Sequence, residues 1–477
     1  MAVILQVTDG TTTVNLQNTT GLQLLEKYLP VFATPTGDGT IPADVTEAVP
    51  VIVRIATDDG LAATLQDIAR LQQQAAMYMA DPTEASPVWF YRKLTGESGG
   101  AAAGIRFLVK SMSFTPTAKF GGLFDVAPAI TDGRIGVLSI THHPYGEAPA
   151  ATAASGTDNV SVLGGASSYP TVTGDVPARL YALNVDDIAA ANTYREYWFG
   201  FRSTNKVTTP ANFVSLWECE NGTDGVSTAD NTDVLASPGG GGNTRKKCTF
   251  ANPVWASRTV QTLSTATGAA NYADQYGQFI VLLRAKVEQG AAQVKISQGL
   301  ATTNNRFGPV VDIAATSYTL YNLGVAQFPT RDLHSTPIAM YAATYDSLNV
   351  LDIWARQKPG AAPATEDLSL DCMILIPCDE YFIHIPNAST SDPADSTRVS
   401  VSPEDIAESY EIDAGTSTIA MQNAISVIGS GVPVGANGRV FVCAAQGPDG
   451  LAPASLTADM DISVSPILRW LYARGAE

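Results

Sequence analysis

The chain has 477 residues, of which 45% are apolar and 16% are charged, and its formal net charge is −18 at pH 7. This length provides for two or three domains with cores of their own, and the apolar content argues against a disordered chain. The acidic balance argues against a nucleic-acid partner, because binding to a phosphate backbone draws on clustered cations. The one basic cluster, Arg245-Lys246-Lys247, follows a glycine-rich stretch, and we interpret it as the solvated tip of a loop.

The N-terminal sequence has neither a positively charged start nor a long apolar run, so no signal peptide is predicted. No window reaches about 18 uninterrupted apolar residues, so no transmembrane helix is predicted. Five cysteines are too few, and odd in number, for a disulfide framework. We therefore expect the chain to fold in a reducing cytoplasm.

Residues 1–145 are predicted to form a small α+β domain. Apolar and polar residues alternate around Asp9-Gly10, which indicates a hairpin, and residues 49–57 form a second strand. Residues 61–80 change to helical spacing, with one apolar face made by Leu61, Leu65, Ile68, Leu71, Ala75 and Met79. Strands return in "VWFYRKL", "IRFLVKSMSFTP" and "RIGVLSITHH". One helix laid across a small antiparallel sheet is the economical arrangement.

Residues 146–170 are rich in Ala, Ser, Gly and Pro without a sustained period, which is typical of a linker. Residues 171–390 follow as short strands separated by turn residues, a pattern that predicts a β-sandwich of jelly-roll type. Residues 391–477 contain an acidic turn-rich stretch and two more strands, which either close the sandwich or pair with the N-terminal domain. The predicted fold class is therefore mainly β, with a small α+β domain before a sandwich.

The most apolar stretch, residues 368–386, carries Cys372 and Cys378. In an extended strand both cysteines lie on one face, and a rise of about 3.3 Å per residue separates their sulfurs by roughly 20 Å. A disulfide needs Cα atoms within about 7 Å, and a zinc site needs thiolates that converge on one ion. We interpret the stretch as a core strand with free, buried thiols.

The histidines and carboxylates form no recognisable catalytic motif. Adjacent residues of a strand point to opposite faces, so His142-His143 is a poor chelator, and His334 and His384 stand alone. Residues 219–242 are rich in Asp and Asn but lack EF-hand spacing, which leaves a structural Ca²⁺ open. A glycosidase needs only two convergent carboxyl groups, for which the candidates are Asp186-Asp187, Asp379-Glu380, Asp459 and Asp461.

Four tryptophans lie in or beside the predicted sandwich strands: Trp198, Trp217, Trp255 and Trp354. Aromatic side chains on a sandwich either stack on sugar rings or fill the core, and we interpret these four as core residues. We predict no catalytic, cofactor-binding or metal-ligating residues and no cofactor, and hence a protein that is not an enzyme.

Several stretches resemble structural proteins of long-tailed phage tails, of the distal-tail or minor-tail type. Gly174-Asp175-Val176-Pro177-Ala178 is similar to a turn that often opens their jelly-roll domain. Residues 370–381 are similar to their "L-D-x-L-x-L-x-P-x-D-E-Y" strand, and "YNLGVAQFP" and "VSPILRWLY" stand in the expected order around it. The N-terminal hairpin, helix and sheet resemble the ring-forming domain of distal tail proteins.

The resemblance implies a virion tail protein, assembled in the host cytoplasm, that forms a homo-oligomeric ring or sleeve and contacts other phage tail proteins. Residues 1–145 would make the ring, with an edge strand such as residues 49–57 pairing with the next subunit. The jelly roll would face outward and touch host-surface carbohydrate, without nucleic acid and without membrane insertion. Two alternatives stay open: a lectin-like carbohydrate-binding module without a structural role, and a glycan-cleaving tail enzyme.

Overall fold

The structure is a computed structural model, and its description covers twenty-three segments of the chain: residues 2–17, 22–25, 30–31, 43–55, 58–81, 84–94, 104–120, 132–187, 196–203, 215–224, 231–235, 244–250, 253–262, 277–298, 306–328, 350–360, 367–386, 397–401, 410–413, 418–420, 426–436, 438–445 and 459–471. Within these segments the fold is mainly β, as predicted, with antiparallel sheets and one α-helix. That helix is not apolar enough to cross a membrane.

The N-terminal part contains, in chain order, β1 (Ala2–Thr8), β2 (Thr13–Asn15), β3 (Leu22–Leu24), β4 (Val45–Ile55), α1 (Asp58–Ala80), β5 (Trp89–Leu94), β6 (Ile105–Phe120), β7 (Asp132–His142) and β8 (Gly146–Glu147). Seven of these strands pair antiparallel in the order β2-β1-β5-β6-β7-β4-β3. A bridge between Gln17 and Gln23 joins the two ends of this order, so the sheet curls towards a closed barrel.

The predicted hairpin forms between β1 and β2. Gly10 has a φ of 87°, which favours glycine, and the Asp9 carboxylate accepts the backbone N–H groups of Thr11 and Thr12 at 2.8 and 2.6 Å. The prediction of an edge strand at residues 49–57 is wrong over the part that is described. β4 pairs with β7 on one side and, through Val51–Val53, with β3 on the other, because the curled sheet gives it a second neighbour.

The helix α1 includes the predicted residues 61–80, and its apolar face packs on the sheet. Ile68, Leu71 and Ala75 are buried in one core with residues of β1, β5, β6 and β7. Leu65 and Met79 are half-buried at the margin of this face, and the side chain of Leu61 lies outside the described residues. Residues on successive turns of the helix therefore cover the N-terminal core.

The remaining strands are β9 (Ser155–Ser161), β10 (Leu163–Ser168), β11 (Val176–Asp187), β12 (Glu196–Arg202), β13 (Leu216–Glu218), β14 (Thr223–Asp224), β15 (Asn231–Leu235), β16 (Thr244–Thr249), β17 (Ala256–Thr262), β18 (Gly277–Val287), β19 (Ala292–Gln298), β20 (Arg306–Phe307), β21 (Val311–Ile313), β22 (Thr319–Phe328), β23 (Val350–Gln357), β24 (Asp367–Pro377), β25 (Tyr381–Ile385), β26 (Thr397–Val401), β27 (Tyr410–Asp413), β28 (Thr418–Ala420), β29 (Ser426–Ile428), β30 (Arg439–Ala445) and β31 (Asp459–Trp470).

Most of these strands form three sheets around the larger core, and the others extend the N-terminal sheet. Their orders are β10-β30-β12-β25-β29, β15-β16-β24-β18-β22 and β14-β17-β23-β19-β20, with β13 against β24 and β21 against β19. Residues 146–170, the predicted linker, contain β8, β9 and β10. Their small polar side chains carry no apolar period, and β30 and β31, remote in sequence, supply their hydrogen-bonding partners. The division of the chain into domains stays a prediction.

The last strand, β31, belongs to both parts of the molecule. It pairs with β9 and β11 along most of its length, and with β8 at Arg469 and Trp470. Met460, Ile462 and Val464 lie in the larger core, whereas Trp470 packs in the N-terminal core. The last strand therefore both closes the larger core and pairs with the N-terminal part, because β31 spans both cores.

Three arginines surround the carboxylate of Glu147 where β6, β8, β11 and β31 meet. Arg179 donates Nε and Nη2 at 3.1 and 3.0 Å, Arg469 donates Nε at 3.0 Å, and Arg106 Nη2 lies 3.9 Å away. Burial raises the pKa of Glu147, but the positive charges of Arg179 and Arg469 outweigh it, so the pKa is lowered from 4.5. Glu147 is therefore held as a carboxylate, and we call these four residues the joint cluster.

Replacing Leu71 by alanine should lower the free energy of unfolding by about 2–5 kcal/mol, because the change opens a cavity under α1. Met77 lies on the same helix and is 44% exposed, so Met77→Ala should change it by less than about 0.5 kcal/mol. Urea titrations followed by circular dichroism measure both values. Equal effects of the two changes would contradict the burial of this helix face.

Replacing Glu147 by glutamine should cost about 3–5 kcal/mol at pH 7, because it leaves buried guanidinium groups without their anion. The folded-state pKa of Glu147 is below 4.5, so its contribution is complete above pH 4.5 and is lost as the pH falls through the folded-state value. Urea midpoints of the two proteins should therefore converge in acid. The control Glu288→Gln removes a largely exposed partner of Arg245 and should cost less than about 1 kcal/mol. A difference between the urea midpoints of wild type and Glu147→Gln that stayed the same in acid would contradict the lowered pKa of Glu147.

Candidate ligand-binding face of the sandwich

His142 is the last residue of β7 and packs against Phe90 and Phe107 of the N-terminal core, and His143 follows it. His142 Nε2 lies 3.3 Å from Glu47 Oε1, and the same oxygen accepts Arg92 Nη1 at 2.7 Å. The ring of His143 packs on Tyr145 at 4.4 Å between centroids. Among the described residues no three His, Cys, Asp or Glu side chains are grouped to hold a metal ion. His142 and His143 are therefore buried structural residues, and His142 belongs to a polar cluster with Glu47 and Arg92.

The described acidic candidates each hold a neighbouring segment. Glu380 accepts the backbone N–H and the hydroxyl of Ser203 at 2.8 and 2.9 Å, and Asp379 lies 3.9 Å from Arg202 Nη2. Asp461 accepts the backbone N–H of Asn159 at 2.9 Å. His384 Nε2 lies 2.9 Å from Glu196 Oε1. The side chains of three further candidates, and the whole of a fourth, lie outside the described residues: Asp186, Asp187, Asp459 and His334.

The stretch of residues 368–386 forms two strands, β24 and β25, and not the single strand that the sequence predicts, because the chain bends after Pro377 and Cys378 lies beyond the end of β24. The side chains of residues 368–378 are buried on both faces, as the core interpretation predicts. All five cysteines are free and buried. Burial raises the pKa of the Cys219, Cys372 and Cys443 thiols well above the ordinary value of 9.0. These groups therefore stay neutral and act as small apolar side chains.

The interpretation of the basic cluster as a solvated loop tip is wrong. Arg245, Lys246 and Lys247 lie in β16, and Lys246 is 1% exposed with its Nζ 3.3 Å from the backbone oxygen of Gly222. Arg245 donates to Glu288 at 2.6 Å. Pairing with β24 places this strand inside a sheet, a contact that local composition does not reveal. Residues 225–230 and 236–243 of the adjoining Asp- and Asn-rich stretch lie outside the described residues.

The four tryptophans divide into two groups. Trp198 is 4% exposed in the larger core and Trp217 packs against that core, as predicted. The core interpretation is wrong for Trp255 and Trp354, which are half-buried and lie outside the larger core. Trp354 lies on the face of β23 opposite Leu351 and Ile353, both of which belong to the core. The period-2 alternation of residues 350–357 carries this information, because neighbours in a strand point to opposite faces.

The same face holds a buried carboxyl group. Asp352 is 5% exposed, and its Oδ1 accepts the hydroxyl of Ser257 at 2.6 Å. Ser297 of the neighbouring strand β19 is the register partner of Asp352. The buried Oγ of Ser297 has no hydrogen-bond partner among the described residues. Burial raises the pKa of Asp352 to about 7, although the hydrogen bonds with Ser257 and Trp354 lower it. This carboxyl group is therefore partly protonated near neutral pH.

Two cationic side chains, Lys295 and Arg356, lie beside these polar groups. The ring of Trp255, just before β17, lies 4.5 Å from Lys295 Nζ and 4.7 Å from Arg356 Cζ. Arg356 Nε also donates to Gln293 Oε1 at 2.9 Å. Burial, and then the charge of Arg356, lower the pKa of Lys295 from its ordinary value of 10.5. The stacked contacts hold both cations beside the half-buried indole ring.

We call this set of side chains the tryptophan face: Trp255, Ser257, Gln293, Lys295, Ser297, Asp352, Trp354 and Arg356. Ser257, Ser297 and Asp352 are buried, and the other five are half-buried. Sugars present apolar C–H surfaces between hydroxyl groups, so aromatic rings beside convergent donors and acceptors suit them. The antiparallel strands β17, β23 and β19 fix the spacing of these groups. The arrangement is therefore suited to binding a polar ring-shaped ligand.

A second carboxyl group with a raised pKa, that of Glu218, lies on another sheet. Burial raises the pKa of Glu218 to about 7, and the charges of Glu220 and Asp371 add to the rise. Asp371 forms a buried ion pair with Arg284, which is 1% exposed. A carboxyl group that keeps its proton near pH 7 is suited to a general acid. Sequence reasoning missed both Glu218 and Asp352, because burial, which depends on the tertiary structure, is the largest cause of their raised pKa values.

Replacing Asp352 by asparagine should stabilise the protein at pH 8 and not in acid. The unfolded-state pKa is near 3.8 and the folded-state value is about 7, so the folded protein holds the proton more tightly and loses stability as the pH rises between these values. Asparagine has no such penalty and still accepts the hydroxyl of Ser257. Thermal unfolding from pH 4 to pH 8 measures the difference, which should vanish near pH 4. Asp312→Asn, at an exposed partner of Lys358, should show no gain at pH 8, and a wild-type curve parallel to that of Asp352→Asn would contradict this pKa.

No protein-family model and no curated protein matches the sequence. Among solved structures the chain is similar to the Dit (gp 19.1) protein of phage SPP1, a structure presented as a paradigm of the hub adsorption apparatus in phages that infect Gram-positive hosts. The alignment covers 78% of this chain and 93% of that chain, with 10% sequence identity and a TM-score of 0.16. A TM-score of this size carries no argument about the present fold.

Proposed function

We propose that the protein is a structural component of a phage tail, of the distal-tail or minor-tail type, located in the virion and without catalytic activity. Residues 1–145 form a homo-oligomeric ring or sleeve in this proposal, and other tail proteins are its further partners. The observation that carries it is the sharing of β31 between the two cores. A strand common to both parts fixes the direction in which the sandwich projects from a ring.

The turn that carries the sequence resemblance supports the same conclusion. Gly174 lies against the end of β31, and a Cβ at this position would collide with the backbone oxygen of Arg469. The backbone N–H of Asp175 donates to that oxygen at 3.1 Å, and Ala178 exchanges backbone hydrogen bonds with Val432. The motif therefore leads the chain into β11 at the joint between the two parts, where a fixed orientation is required.

The tryptophan face supplies the outward function in this proposal. We infer that it contacts host-surface carbohydrate, with Trp255 and Trp354 stacking on sugar rings and with Gln293 bonding to hydroxyl groups. The same surface favours the second candidate function, a lectin-like module without a structural role. The oligomeric state of the protein and its presence in virions distinguish the two candidates.

Full-length protein at tens of micromolar should form a closed oligomer of defined mass. Light scattering after gel filtration measures the mass, and negative-stain micrographs show whether the particle is a ring. Mass spectrometry of purified virions should detect the chain, and antibodies against it should label the tail. A monomer that is absent from virions would refute the tail proposal and leave the lectin-like candidate.

Trp354→Ala should reduce binding to host-surface glycan about 5- to 150-fold, if a sugar ring gains the roughly 1–3 kcal/mol that a nucleobase gains from stacking on an aromatic side chain. Tyr181 on β11 is another aromatic side chain, 43% exposed, and Tyr181→Ala should leave binding unchanged. Glycan arrays and surface plasmon resonance with isolated host walls measure this. If neither variant loses binding, or if both lose it equally, the tryptophan face is not the glycan-binding surface.

A further inference from the structure

We propose that the joint cluster binds a dianionic oxyanion of the phosphate or sulfate type, with Arg106 and Arg179 as its principal ligands. This inference does not rest on the tail proposal, because it concerns the charge and the unused donors of four described side chains. It assigns the place where the N-terminal sheet meets the sandwich as an anion site.

The first argument is charge. Three guanidinium groups approach one carboxylate, which leaves the joint cluster with an excess of two positive charges. Glu147 is the one described carboxylate in an ion pair with Arg106 or Arg179. Burying like charges together is costly unless an opposite charge joins them. A dianion would neutralise this excess.

The second argument is the number of unused donors. Arg179 uses Nε and Nη2 on Glu147, and its Nη1 has no hydrogen bond to any residue within the described segments. Arg106 donates no hydrogen bond to the described residues, and its Nε is buried without a partner. The side chains of Arg106 and Arg179 are 15% and 9% exposed, so they are desolvated but still reached from solvent. An oxyanion would satisfy these N–H groups.

The third argument is that the donors are held in place before any ligand arrives. The Arg106 guanidinium lies 4.1 Å from the centre of the Trp89 ring, and that of Arg469 lies 4.5 Å from the Tyr145 ring. Stacked guanidinium groups lose little freedom when they bind, and their fork of N–H groups matches the oxygen atoms of a phosphate. Stacking therefore holds the guanidinium groups of Arg106 and Arg469 in place before an oxyanion binds.

Binding at this position would connect β6 of the N-terminal sheet to β11, which extends that sheet and lines the larger core. A ligand that binds the folded state alone raises stability in proportion to the logarithm of its concentration above Kd. An anion would therefore stiffen the joint between the two parts without changing the strand pairing around it. The joint would then be sensitive to the phosphate content of its surroundings.

The test uses the full-length protein, with inorganic phosphate titrated against chloride at constant ionic strength. Calorimetry should show one saturable site per chain, and the melting temperature should rise with phosphate but not with chloride. Arg106→Gln should weaken binding at least about tenfold, since a hydrogen bond between charged groups contributes roughly 1.5–3 kcal/mol. Arg70→Gln removes the same charge from an exposed position on α1 and should leave the affinity unchanged.

Two further arms make the result decisive. Arg106→Lys keeps the charge but loses the fork, so it should bind more weakly than the wild type, and it serves if Arg106→Gln does not fold. Glycerol phosphate, a phosphomonoester, tests the source of the anion: equal affinity supports a site for esterified phosphate, and exclusion of the ester supports a site for the free ion. Absence of saturable binding, or equal weakening by Arg70→Gln and Arg106→Gln, would overturn the proposal.

Discussion

The bidentate pairing of Arg179 with Glu147 is the interaction on which the architecture depends. It lies where the short strand β8 joins β6 of the N-terminal sheet to β31, close to the start of β11 and the end of β31. A buried ion pair gains little net stability over apolar packing, but it is costly to break once its partners are buried. Arg469, the next-to-last residue of β31, donates to the same carboxylate, so the ion pair lies where β31 passes from the larger core to the N-terminal core.

The position of the tryptophan face follows from the same constraint. A sandwich sheet has one face in the core, and the other face is available for function only where nothing else packs on it. β23 illustrates this division: Leu351 and Ile353 enter the core, whereas Asp352 and Trp354 point away from it. Because the joint fixes the sandwich relative to the N-terminal sheet, it also fixes the direction in which this surface is presented.

The sequence predicts the local features of the molecule well. The hairpin at Asp9-Gly10, the helix face around Leu71 and the buried strand with Cys372 follow from turn chemistry, helical period and continuous apolarity, each of which acts over a few residues. The strands of residues 146–170 escape prediction because β30 and β31, hundreds of positions away, pair with them. The burial of Lys246 is not predicted for the same reason, since it depends on the register of β16 against β24.

Sequence alone determined that the chain is mainly β, that one amphipathic helix covers the N-terminal sheet and that the thiols of the core strand stay apart. Composition and periodicity suffice for these conclusions, because they depend on residues close together along the chain. Tertiary structure decided which carboxyl groups are buried, which tryptophans leave the core and which arginines gather at Glu147. These properties arise from pairing between distant strands, and desolvation and charge act through space rather than along the chain.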